Sequence, residues 1–526
     1  ITTGDNNTAF GYLASRVITT GSNNVSVGAG GNLGANTTGA NNTALGYASL
    51  GANTTASNNI AVGLSALGAN TTGSLNTAVG FEALLTNTTA SHNTGYGFKA
   101  LRLNTTGSSN IAVGSDSLAV NTTGSKNTAI GYESLRSNTT ASNNTAVGRE
   151  ASASNTTGGD NTGVGFSALY TNSTGYRNTA VGKDALSGNT TASNNTAVGK
   201  SSLQVNSTGA QNTAVGTGAL TANTTASNNT AIGYQSMDAN TTGANNTAVG
   251  INSLGTNTTG QSNVAMGYHA AVSATTASNN VVIGFTAGHD LSTGSNNTFM
   301  GTEAAYANTT GQRNTAVGKS ALGAVTTGQK NCGYGSFAGA ALTTGSNNTF
   351  IGETAGATVT TGSLNVRIGN QAGGSETTGN TQLWIARGPQ GVGNSSVWIH
   401  GTSAGQCFQG DNTNTWSTIS DERIKKNIVD SPNGLAKIDA IQVRNFNFKT
   451  QEEVTVEGLT TSDAAGLQTG VIAQELELVL PDAVSENNHG LKQVNTDPIF
   501  WSMVKAIQEL SAQNAALAAR ITTLEG

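Results

Sequence analysis

Between Gly11 and Gly369 a glycine returns every seventeen residues, with a single eighteen-residue step from Gly28 to Gly46. A chain of such regularity folds as a repeat array. One unit runs Asn76-Thr77-Ala78-Val79-Gly80, two variable residues, Ala83-Leu84, two more, and Asn87-Thr88-Thr89-Ala90, with Asn93 opening the next copy. Seventeen residues are too few for a helical hairpin, so each period is one coil of a β-solenoid, with Thr-Ala-Val as its strand. Asn and Gly bound that strand, and Asn-Thr-Thr-Gly supplies a second turn through side-chain hydrogen bonds and positive φ. At the spacing of neighbouring strands, the coils would stack to about 105 Å.

The residue before each marker glycine is bulky and apolar (Leu45, Val62, Val79, Tyr96, Met266, Ile351) and is expected to face the core. The residue two before it, Ala44, Ala61, Ala78 or Gly95, lies on the opposite face and is small rather than charged. A strand with nothing hydrophilic on either face is usually covered on both. We therefore expect several copies to pack side by side as a parallel homotrimer.

Only 36% of the residues are hydrophobic and 5% aromatic, and glycine numbers 69, which suits a thin solenoid better than a globular core. A net charge of −5 and a fixed apolar register argue against disorder. No basic stripe exists, which excludes nucleic acid as a partner. No apolar run is long enough to insert in a membrane. Cys332 and Cys407 lack the paired spacing of a metal site and are expected to pack as small apolar groups, so neither metal nor cofactor is expected. The many Asn-x-Thr triplets are turn ladders rather than glycan acceptors, which favours a bacterial or viral source. The chain starts inside the repeat at Ile1, without Met, as a fragment of a longer polypeptide would.

Charge is unevenly spread, with 24 Asp, Glu, Lys and Arg after residue 420 against 27 before it. Three segments follow: a shaft over 1–369, a β-rich neck or tip over 370–419, and a small α+β domain over 420–526. The neck holds Trp384, Arg387, Trp398 and His400, groups suited to stacking on sugars, although tryptophans of a neck more often pack between subunits. The aromatic row after the marker glycines (Tyr47, Phe81, Phe98, Tyr132) is a second receptor candidate, with interchain packing the commoner role. After Pro498 the heptad positions Phe500, Ile507, Asn514, Ile521 and Met503, Leu510, Leu517, Leu524 form a coiled-coil seam in which Asn514 fixes register. Asp497 should cap that helix, with Pro498 at its first position.

The repeats resemble the β-roll head repeats of trimeric autotransporter adhesins, whose period is shorter. The stretch Ser420-Asp421-Glu422-Arg423-Ile424-Lys425-Lys426-Asn427-Ile428 resembles the start of the endosialidase-type intramolecular chaperone. Gly434–Ile438, Arg444–Phe448, Gly470–Leu476, Leu480–Val484 and Ala506–Leu510 match further motifs in the family's order. The resemblance implies a domain that drives three stalks into register and then cuts itself off at Ile419-Ser420, with Ser420 as nucleophile and Lys425 as general base. Lys426 is the alternative base on the residues alone, and Ser-Asp-Glu often does no more than cap a helix or turn. It also implies a bacteriophage tail fibre on the virion, binding a host-surface glycan or protein and other tail proteins through a missing N-terminal region. A bacterial surface adhesin or extracellular filament is the alternative. Ice binding through the Thr ladder and a glycan-degrading tailspike are further ones, although Glu303 and Glu353 look like solvated edges rather than a carboxylate pair.

Overall fold

A computed structural model of the chain describes residues 3–373, 377–387, 396–401, 407–409, 429, 431–432, 434–449, 453, 466–486 and 491–525. It divides into two units, Ile1–Trp416 and Ser417–Gly526.

The first unit is a parallel β-solenoid. Its three-residue strands run from β1 (Thr8–Phe10) to β22 (Val366–Ile368), and each pairs in parallel with the next one coil on, as Thr77 with Thr94 and Val79 with Tyr96. Most of its backbone bonding passes from coil to coil: the Thr77 N–H donates to the Asn93 carbonyl at 2.8 Å, and the Leu84 N–H to the Ala100 carbonyl at 2.9 Å.

Two columns of buried asparagines line the turns. The Asn76 N–H donates to Asn59 Oδ1 at 2.9 Å, while Asn76 Nδ2 donates to the Ala90 carbonyl at 2.9 Å. This column runs from Asn7 to Asn365, and Gln382 takes the next place, its N–H bonded to Asn365 Oδ1. In the second column Asn87 Nδ2 bridges to Asn70 Oδ1 and to the Ala90 carbonyl, both at 2.9 Å. These asparagines include those of the Asn-Thr-Thr triplets, whose burial leaves no room for a glycan there, whereas the first Asn of Asn-Asn-Thr triplets, such as Asn41 and Asn143, is exposed. The eighteen-residue step is absorbed at Gly30 and Gly31, both with positive φ, and leaves the first column intact through the Asn42 N–H and Asn24 Oδ1.

The two faces of the strand are the reverse of the sequence expectation. Ala44, Ala61, Ala78 and Ala112 are buried, whereas Leu45, Tyr96, Ile130 and Met266 point outward and stay about 40–57% exposed. The reason is size. Opposite the alanine, Leu84 and its equivalents fill the interior, and a Cβ built on Gly333 would already lie 2.8 Å from Leu322 Cγ. Facing the strand, a coil of this circumference has room for one large side chain, and it comes from the Ala-Leu segment. Where that leucine is replaced by Gly288, Gly339 or Gly356, Phe299 and Phe350 enter from the strand instead, the Phe350 ring lying 2.5 Å from where a Gly339 Cβ would be. Core volume is thus kept by exchange between facing positions.

Positive φ also falls elsewhere than expected. The Thr-Thr pair does not adopt it; Glu82 (53°), Leu84 (52°) and His92 (62°) do, and their counterparts recur in coil after coil. Each left-handed non-glycine residue costs on the order of 1 kcal/mol, which burial of the leucine and the coil-to-coil bonds offset. The marker glycine has no substitute. Gly80 sits at φ 137°, and a Cβ there would lie 2.7 Å from the Gly97 carbonyl carbon of the next coil.

The ladder continues one rung past Gly369. β23 (Leu383–Arg387) pairs in parallel with β22, Val366 with Leu383, and β24 (Ser396–Gly401) and β25 (Cys407–Gln409) then add antiparallel strands.

In the second unit, α1 (Leu435–Ala440), β26 (Arg444–Phe446) paired with β27 (Gln468–Gly470), α2 (Ala473–Val479), a single 3₁₀ turn (Pro481–Ala483), and β28 (Val484–Glu486) paired with β29 (Lys492–Val494) precede α3 (Thr496–Glu525). Leu476, Leu480 and Ala483 form its core, with Ile441, Val471, Val494 and Ile499 against them. The α3 helix starts at Thr496, before the expected Asp497 cap, so Pro498 lies in the first turn, where its missing N–H leaves no bond unmade.

Candidate functional site

Among the described residues of the second unit, motif segments distant in sequence meet in space. Glu509 on α3 accepts the Leu435 N–H at 2.8 Å, closing the N-terminus of α1 across 74 residues. Gly434 leaves the space for it, since a Cβ there would overlap the Glu509 carboxylate. Lys437 Nζ donates to the Val479 carbonyl at 2.9 Å at the C-terminal end of α2, where a cation is favoured. Arg444 forms a two-bond fork with Glu475, both at 3.0 Å, and this carboxylate raises the guanidinium pKa above its ordinary value. Lys492 pairs with Glu477. Glu509, Lys437 and Glu475 went unremarked among the sequence motifs; their only signal is that each lies inside a matching segment.

The α3 helix has two distinct faces. Ile499, Ser502, Ala506 and Glu509, at helical spacing, face inward within the unit, with Ser502 and Ala506 buried. The expected seam lies on the other side: Phe500, Met503, Ile507, Leu510, Leu517, Ile521 and Leu524 are all exposed, as is Asn514. From Leu510 onward every residue of the helix with a described side chain is exposed in the single chain.

Ile419, Ser420, Lys425 and Lys426 lie outside the described residues. Of the sugar-stacking candidates, Trp384 is displaced from that role: it occupies the inward strand position above Arg367, only 2% exposed. It fills the core because no leucine is needed opposite it at the solenoid end, where Arg367 is itself buried and bonded to Gln382 Oε1 at 3.1 Å. His400 pairs with Trp384 across β23 and β24, and Arg387 with Ser396; Trp398 falls at the register shift between them, opposite no residue. The side chains of Arg387, Trp398 and His400 lie outside the description.

The aromatic row after the marker glycines is exposed but self-engaged. Phe81 stacks on Phe98 and Tyr268 on Phe285, both at 5.3 Å between centroids, and Arg149 approaches the rings of Tyr132 and Phe166 within 6 Å. Rings stacked along the coil axis present their edges outward. Glu303 and Glu353 bind Ser320 and Asn370 in different rows and do not pair with each other. Cys332 is half-buried at the first strand position, which raises its thiol pKa.

Among the described residues no helix is long and apolar enough to cross a membrane, and no three His, Cys, Asp or Glu side chains are grouped to hold a metal ion. No solved structure matches the chain. Residues 420–485, from the Ser420 motif to the end of the Leu480–Val484 motif and just beyond, match the family model of the chaperone of endosialidase.

Proposed function

We propose that the chain is the shaft of a trimeric fibre whose C-terminal unit directs assembly and is then released by self-cleavage. The observation that carries this is the match of residues 420–485 to an endosialidase-type chaperone immediately behind a solenoid of near-identical coils. Interchangeable coils offer many wrong pairings, and slow non-local strand pairing leaves them exposed to aggregation. A nucleus after the last coil removes the choice. The exposed seam of α3 supplies its association surface, with Asn514 setting the register of the three helices.

Release runs through Ser420. Lys425 is the general base: its amine, which must be in the neutral form to act, takes the hydroxyl proton as Ser420 Oγ attacks the Ile419 carbonyl carbon. The peptide nitrogen leaves as the Ser420 amine with a proton from Lys425, and water hydrolyses the resulting ester. The products are 1–419 and 420–526. The fibre then contacts a host surface at the neck, with Arg387, Trp398 and His400 as the contact, and it joins other virion proteins at its opposite end. Intact mass of the purified full chain tests the release: wild type yields the two fragments and Ser420→Ala stays whole. Identical full-length masses for both would remove self-cleavage from the account.

A further inference from the structure

The outward strand face of the solenoid carries adjacent rows that differ in charge. Before the marker glycine, every strand from β1 to β22 has an apolar residue, from Phe10 to Ile368. The first strand position, Thr or Val, Ile and one Cys, is also uncharged throughout. After the glycine the row changes character: Arg149, Lys183, Lys200, Lys319 and Glu353 interrupt the aromatics.

The row before the glycine has no cover in the single chain. At about 50 Å² of bare apolar side chain per rung it sums to roughly 1,100 Å², above the few hundred Å² a monomer usually leaves exposed and above the ~800 Å² each partner of a standard interface contributes. Its occupant is restricted by what it lacks. Tyr96 and Tyr334 aside, the row has no donor, acceptor or charge and gives a sugar little to bond to, whereas apolar side chains of another solenoid with the same rise match it rung for rung.

Rotational symmetry sharpens the choice. In parallel copies around an axis, equal residues approach one another, so Lys183 and Lys200 on successive rungs would each face their own like charges. The row after the glycine cannot sit at the axis without that repulsion, whereas the row before it can. We propose that this row, flanked by the first strand position, is the contact surface for further copies of the same chain, parallel and in register, with the row after the glycine at the rim. The inference rests on the homo-oligomeric part of the proposed function and adds which face is used.

Cysteine crosslinking of the full chain tests it, in a Cys332→Ser, Cys407→Ser background with circular dichroism and native mass as folding and assembly checks. Val198→Cys is expected to form a disulfide between copies on mild oxidation at least tenfold more completely than Thr191→Cys, which lies in the exposed Thr row. A multi-copy native mass with crosslinking at Thr191→Cys, or at neither site, overturns the face while leaving the assembly standing. A single-copy native mass overturns the assembly reading itself. Co-expressed Val198→Cys and Val215→Cys chains that crosslink to each other as readily as to themselves overturn the in-register arrangement.

Discussion

In the solenoid, the coil at Asn76 is held to those at Asn59 and Asn93 by the same atoms that hold every other coil, always about seventeen residues away. In the C-terminal unit, Glu509 reaches 74 residues back to Leu435 and Arg444 reaches 31 forward to Glu475, bonds made once and by one pair only. The first arrangement is stiff and extends without limit, yet a slip by one coil replaces each contact with its equal. The second is small, but its contacts have no equals. Uniform bonding provides length, and unique bonding provides position.

Breaking the repeat at its least replaceable atom should have the largest effect. Gly80→Ala forces a Cβ against the Gly97 carbonyl at a φ closed to alanine, and should cost about 4 kcal/mol. Because each coil touches only its neighbours, hydrogen exchange should accelerate in the coils around residue 80 and not near residue 300. In the C-terminal unit Leu480→Ala should cost about 3 kcal/mol. Its effect should spread to the whole unit, seen as loss of protection in α2 and β28 together, because one core serves all of it. Uniform spreading from Gly80→Ala, or confinement of Leu480→Ala, would erase the contrast.

A smaller effect sharpens the account of the ladder. Asn212→Ala strands the Asn229 N–H and leaves the Ala226 carbonyl with Asn223 Nδ2 alone, and should cost about 2 kcal/mol by denaturant unfolding. The second column shows what tolerates a break: from residue 274 onward its places are taken by Ala274, Leu291, Val325, Leu342 and Val359. Asn308, left between Leu291 and Val325, keeps no ladder partner among the described residues. Asn308→Leu should therefore be neutral or stabilising, the opposite sign to Asn212→Ala.

The smallest effect concerns charge. Partial burial lifts the Asp238 carboxyl above its usual pKa. A raised acid is a cost that appears as pH rises through the unfolded pKa and is absent below it. Asp238→Asn should therefore raise stability at pH 7, by less than ~1 kcal/mol given its exposure, and leave it unchanged below about pH 4.

The period, the strand position and the Asn ladder were legible in the sequence because each depends on residue type at fixed spacing. The inward face was not. Hydrophobicity favours Val79 over Ala78 as core, but the coil's circumference decides, and it becomes visible only when Leu84 is seen in a left-handed conformation filling the interior. The place of Trp384 is hidden for the same reason, since a tryptophan in a neck and a tryptophan closing a core look alike until the ladder is counted one rung further. In the C-terminal unit the motif segments were legible by resemblance, while the bonds joining them, Glu509 to Leu435 and Lys437 to Val479, carry no spacing signal.

Refolding from denaturant measures the division of labour directly. The full chain with Ser420→Ala, which keeps both units joined, is predicted to return to one species with a single native mass of three copies. A chain ending at Trp416 is predicted to return to a spread of masses and registers. If the shorter chain recovers the same single species at the same rate, the coils set their own register and the central claim fails.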